Sequence, residues 1–190
     1  MAYKFILSIN FHLLLNKIDQ ESANQAQQQG CPYCGHALHQ ANYPRSPFGL
    51  LAAFRDHYDK RLSFCCDTCR KRTTPQSVRF FGRRWFPAPL FMLISALMLG
   101  PNERRCAQVK RHFGMVVSEA TWKRWRRWWR ESFMATKFWQ QAKGLVTSGL
   151  GTSRPLPRAL LDLFQGAPAK KMRLLLQFLA PLTGGILRAV

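Results

Sequence analysis

Apolar side chains gather in a few stretches of this chain, and the spacing within each predicts a different element. Residues 1–16, MAYKFILSINFHLLLN, form an apolar run interrupted by Asn10 and His12, the pattern of an amphipathic or partly buried helix. The likeness to a signal peptide is superficial: Lys4 is the only early charge and no small-x-small cleavage site follows. Residues 21–30, ESANQAQQQG, hold no large apolar residue and read as a linker. From 31 to 85 the apolar positions are scattered among turn formers. A short strand leads into the cysteines at 65 and 66, and the alternation Val78-Arg79-Phe80 predicts another strand, ended by Gly82.

The second apolar run, Pro87–Gly100, is 14 residues long. That is short for a membrane span and suits a buried helix over about Pro89–Leu99. A further helix is expected from Glu103 to Phe113, with Gly114 as its stop. Ser118 is placed to cap a third, over about Glu119–Phe138, with Glu119 in its first turn. At about 100° per residue, Trp122, Trp125, Trp129 and Phe133 share one face of that helix, and Trp128 borders it. Lys123, Arg124, Arg127 and Arg130 fall away from the stripe, while Arg126 lies beside it. Helical spacing of this kind marks a core face rather than a base-stacking platform. Gly144–Pro157, rich in Gly, Ser and Pro, reads as a second linker. Residues 158–190 read as a basic apolar tail of one or two short helices, broken near Gly166, Pro168 and Pro181.

Charge turns this outline towards a partner. The 190 residues carry 29 Lys and Arg against 9 Asp and Glu, a formal net charge of +20. A surplus of that size implies a polyanion: nucleic acid first, since basic contacts to phosphate release counterions, and an anionic membrane surface second. Residues 70–130 hold 15 Lys or Arg and only two acids, Glu103 and Glu119. A face that serves solubility alone mixes its signs. Helix, turn at a glycine, helix is the outline of a helix-turn-helix, with the Trp face of the third helix packed inwards and its basic face in a major groove. Lys123, Arg124, Arg127 and Arg130 are then the groove residues. Arg70, Lys71, Arg72, Arg79, Arg83 and Arg84, in the stretch before the helices, are expected to meet backbone phosphates. Arg45 is a further candidate contact.

The cysteines supply the most specific motif. Cys31-Pro-Tyr-Cys34-Gly and Cys66-Asp-Thr-Cys69 are two CxxC pairs, and tight turns of that spacing hold thiolates around one tetrahedral zinc ion. Cys65 could take the place of Cys66, but Cys66 repeats the spacing of the first pair. His36 and His39 are alternative donors, and Cys106 reads as a core residue. The expected zinc is single and structural: no H-x-E sequence is present and neither CxxC follows a proline, so deaminase chemistry is not indicated. Thiol ligation implies a reducing compartment, hence a cytoplasmic, nucleoid-associated protein.

CPYCG followed by FCCDTCRKRTTPQSVRFFGRR resembles the N-terminal zinc ribbons of insertion-sequence transposases. The resemblance spans about residues 31–86 and extends less specifically to about 140. It implies Cys31, Cys34, Cys66 and Cys69 as metal ligands and transposon-end DNA as partner. Such transposases continue into a catalytic domain whose three carboxylates hold two metal ions. Here nine acids are present in all, and only Asp162 follows residue 134. The expectation is a small α+β protein: a helical leader and polar linker (1–30), a four-cysteine zinc ribbon (31–86), a helix-turn-helix-like helical domain (87–143), and a linker with a basic apolar tail (144–190). Its expected role is duplex DNA binding as a transposase-related protein or transposon accessory factor, with a recombinase or another transposition protein as a candidate partner. A truncated or catalytic transposase subunit and an RNA-binding zinc ribbon are the alternatives.

Overall fold

The computed structural model describes residues 4–49, 52–81, 86–97, 106–107, 109–111, 116–146 and 155–184. After a 3-10 turn at Lys4–Leu7, helix α1 runs Ile9–Gln29. It continues straight through the polar stretch expected to be a linker. Glu, Ala and Gln lose little side-chain freedom in a helix, and nothing in 21–29 interrupts the hydrogen-bond ladder. Gly30 ends it, with φ at +76° and its N–H donated to the Gln27 carbonyl. A Cβ here would stand 2.9 Å from the Gly35 carbonyl oxygen, so the close approach also demands glycine. Phe11, Leu15, Asp19 and Ala23 form the buried stripe, at four-residue spacing. The first two enter the main core; Ala23 enters the cysteine module.

That module contains a three-stranded antiparallel sheet of β1 (Leu38–Gln40), β4 (Phe64–Cys66) and β5 (Arg72–Thr73), in the order β1-β4-β5. Leu38 pairs with Cys66, and Phe64 with Gln40 and Thr73. A separate ribbon joins β2 (Tyr43–Pro44) to β3 (Lys60–Arg61). The cysteine module's small core is Ala23, Cys31, Leu38, Phe64 and Cys66.

The main core is helical. α2 (Ala88–Leu97) buries Leu90 to Ile94 without a break, as a helix apolar on all sides must. Around it stand α3 (Glu119–Arg130), α4 (Lys137–Val146), α5 (Leu156–Asp162) and α6 (Pro168–Leu179). Phe91 lies at the centre, stacked on Trp129 at 5.9 Å between ring centroids and edge-on to Trp125 at 5.0 Å.

Three expectations change here. The third helix stops at Arg130 instead of reaching Phe138. Phe133 N–H reaches back five residues to the Trp128 carbonyl, and Thr136 then caps α4 by accepting the Trp139 N–H at 3.1 Å. Gly144 to Val146 belong to α4 rather than to a linker. Val78-Arg79-Phe80 forms no strand: the chain bends there, and only Phe80 makes a lone bridge, to Pro87. The stops expected at Gly82 and Gly114 lie outside the described residues. The helix expected over 103–113 is helical at 106–107 and 109–111, with Cys106 half-buried. No helix among the described residues is long and apolar enough to cross a membrane.

Candidate metal centre and basic surfaces

The two CxxC turns have the same construction. In the first, Gly35 N–H donates to the Cys31 carbonyl at 2.8 Å and Cys31 N–H to the His36 carbonyl at 2.8 Å. In the second, Arg70 N–H donates to the Cys66 carbonyl at 3.2 Å and Cys66 N–H to the Lys71 carbonyl at 3.1 Å. The residue after the second cysteine is left-handed in both: Gly35 at φ +76° and Arg70 at φ +58°. Arginine pays for that geometry with its Cβ, which crowds the following carbonyl. The turns face each other, with Cys31 Sγ 3.5 Å from Cys69 Sγ and Cys34 Sγ 3.4 Å from Cys66 Sγ. All four sulfurs lie within 4.8 Å of one another. Thiolates at about 2.3 Å from a tetrahedral ion would be about 3.8 Å apart. The set therefore fits a metal ion.

Four thiols this close cannot ionise independently. Burial pushes the Cys31 thiol up, but the Tyr33 and Cys34 backbone N–H groups and neighbouring sulfurs bring it down to about 7. Cys66 is also lowered, first by the Cys69 backbone N–H. Cys34 is pushed up to about 12: the His36 backbone N–H lowers it, but burial and the three other thiols raise it more. Cys69 is raised too, with the Lys71 N–H opposed by burial and by its neighbours. A bound dication would remove this conflict by stabilising every thiolate at once.

The alternatives stay outside the cluster. Cys65 lies on the opposite face of β4, half-buried, with its thiol 3.6 Å from the Arg70 carbonyl. His36 Nδ1 lies 2.9 Å from the Cys34 carbonyl, and exposed His39 lies 3.3 Å from Asp67. Burial of the cluster falls on Cys31 and Cys66, while Cys34 is exposed.

The basic residues divide sharply. Arg70, Lys71 and Arg72 are exposed beside the second turn, Lys71 over the Tyr33 ring at 4.5 Å and Arg72 donating to the Ala41 carbonyl at 2.6 Å. Half-buried Arg45 stands over the Phe80 ring at 5.4 Å. On α3, Lys123, Arg124, Arg127 and Arg130 are exposed while Trp122, Trp125 and Trp129 are buried. Ser118 caps this helix, accepting the Thr121 N–H. Arg83 and Arg84 lie outside the described residues.

Arg79 is the exception, and its expected contact to phosphate is overturned. It is 2% exposed, and its Nε donates to Asp19 at 2.8 Å. Asp19 also receives the Val78 N–H at 2.7 Å and the Ser77 hydroxyl at 2.5 Å. The bend over 77–79 thus wraps a carboxylate of α1, which is why no strand forms there. Arg61 is buried nearby, donating to the Pro75 and Thr183 carbonyls. His12 sits between the Ile6 carbonyl, 2.7 Å from Nε2, and the Tyr58 hydroxyl, 2.9 Å from Nδ1. Sequence reasoning missed this polar group. Its one signal was Asp19, an acid on the apolar stripe of α1 four residues after Leu15.

No protein-family model, curated protein or solved structure matches this chain.

Proposed function

We propose that this chain is a zinc-dependent duplex-DNA-binding protein, in which a four-cysteine zinc ribbon braces a helix-turn-helix-like helical domain. The observation that carries the DNA reading is the division of α3, with three tryptophans buried and five cations exposed along one helix. Arg forks on such a face suit guanine O6 and N7, and the ribbon's Arg70, Lys71 and Arg72 suit phosphates. Zinc is the proposed metal because four thiolates in a tetrahedron are its usual structural set. The resemblance of residues 31–86 to transposase zinc ribbons supports a place in a mobile element, as an accessory factor to a recombinase. Of its nine acids, Asp19 is held by Arg79 and Asp162 by Arg158. Neither is a free member of a catalytic metal-binding triad.

The test is selection from a random duplex library with zinc-loaded protein at about 150 mM salt, where phosphate binding is partly screened. Enrichment of one motif is the expected result. Tight binding without enrichment, or tighter binding to structured RNA, would overturn the reading.

A further inference from the structure

A cavity of about 450 Å³ opens between α2, α3 and the start of α5. This lies in the size range of small-molecule sites. Its wall is mostly apolar: Trp122, Trp125 and Trp129 line it, together with Ile94, Met134 and Leu156. Two cations also line it, Arg126 and Arg130, four residues apart on α3 and both exposed. No acidic residue is among its described lining, and neither arginine is in an ion pair among the described residues.

We infer that this cavity binds a small aromatic carboxylate, its flat body against the tryptophans and its carboxylate held by Arg126 and Arg130. Indole faces and edges favour offset or edge-on packing with another ring over packing with a flexible acyl chain. The guanidinium fork matches a carboxylate two bonds at a time. Arg126 supports this assignment from a second side. It is the cation of α3 that falls beside the Trp stripe, at the edge of the cavity. The inference rests on the cavity alone and holds whether or not the helix binds DNA.

The probe is 2-naphthoate, titrated into the full zinc-loaded chain and read by calorimetry and by the ¹⁵N indole signals. One saturable site is expected, with the Trp129 indole N–H signal among those that move. The double variant R126Q/R130Q should melt like the parent and bind at least tenfold more weakly. R124Q/R127Q, altered on the same helix away from the cavity, should bind 2-naphthoate unchanged even if it loses DNA. Decanoate and neutral 2-naphthalenemethanol should each bind at least tenfold more weakly than 2-naphthoate. Absence of saturable binding, equal binding by R126Q/R130Q, or a preference for decanoate would overturn the inference.

Discussion

Arg70 is where one residue bears on the geometry of the candidate metal site. It holds φ +58°, the position that Gly35 fills in the matching turn at φ +76°. Replacing it with glycine removes a Cβ clash without touching a sulfur, so R70G should stabilise the metal-loaded chain by about 1 kcal/mol, measured by denaturant unfolding. A loss of stability would mean that the side chain makes a contact stronger than the strain. His12 sets a second expectation. Its ring is buried, and burial, opposed by the Ile6 carbonyl, lowers its pKa below the usual 6.5. The neutral form fits the site, with Nε2–H donating to Ile6 and Nδ1 accepting from Tyr58, whose own pKa burial raises. The unfolded chain therefore takes up a proton below about pH 6.5 that the folded chain refuses, so stability should be full above that pH and fall as pH drops through it. In H12Q, which cannot titrate, that slope should be shallower between about pH 6.5 and 5, whatever its overall stability.

Helix α3 carries the clearest separation of packing from binding at the scale of an element. Trp125 is 7% exposed and meets Phe86 and Phe91 edge-on, both at 5.0 Å. Trp125→Ala should cost about 3–5 kcal/mol by thermal or denaturant unfolding, as large aromatic truncations in cores do. Unchanged melting would move Trp125 from core to binding surface. Arg124→Ala and Arg127→Ala should leave stability nearly unchanged and weaken DNA binding by about 1–3 kcal/mol each if they read bases. A uniform loss across sequences with a shallower salt slope would assign them to phosphate instead. This division was legible in the sequence because a 3.6-residue period survives any tertiary context that buries one face. The Ser118 cap and the two CxxC turns were legible for a similar reason: their hydrogen bonds are local. The end of α3 was not, because Thr136 competes for the chain through a cap, while the Trp stripe runs on to Phe133 regardless. The polar run 21–29 misled for the opposite reason: its helix has few apolar positions to mark a period, and α1 is held by the modules at its two ends. Arg79 was unreadable because its partner, Asp19, lies sixty residues away. A basic run looks the same in sequence whether each charge faces solvent or one is turned inwards.

At the scale of the whole molecule, α1 connects two cores of different origin. Phe11 and Leu15 belong to the helical core, and Ala23 to the cysteine module, where Gln27 Nε2 also donates to the Leu38 carbonyl at 3.2 Å. Between these lies Asp19, bound by Ser77, Val78 and Arg79, so one carboxylate ties the helix to the chain leaving the module. Among the described residues the module's core has five buried members, too few to hold a fold without a staple. Removing the metal with a chelator should therefore unfold β1, β4 and β5 and leave the helical core standing. Hydrogen exchange should show fast amides over 31–40 and 64–73 with protection retained over α2 and α6, and Cys34→Ser should reproduce the pattern with zinc lost. Retention of one zinc per chain in Cys34→Ser would defeat the ligand assignment. Global unfolding on chelation would show that the two units unfold as one, coupled through α1 and the buried Asp19–Arg79 pair. Asp19→Asn separates these cases. It keeps the metal ligands but leaves the Arg79 charge buried without its counter-ion, at a cost of about 3–5 kcal/mol. If α1 transmits the loss, that variant should weaken both units together, while chelation weakens only one.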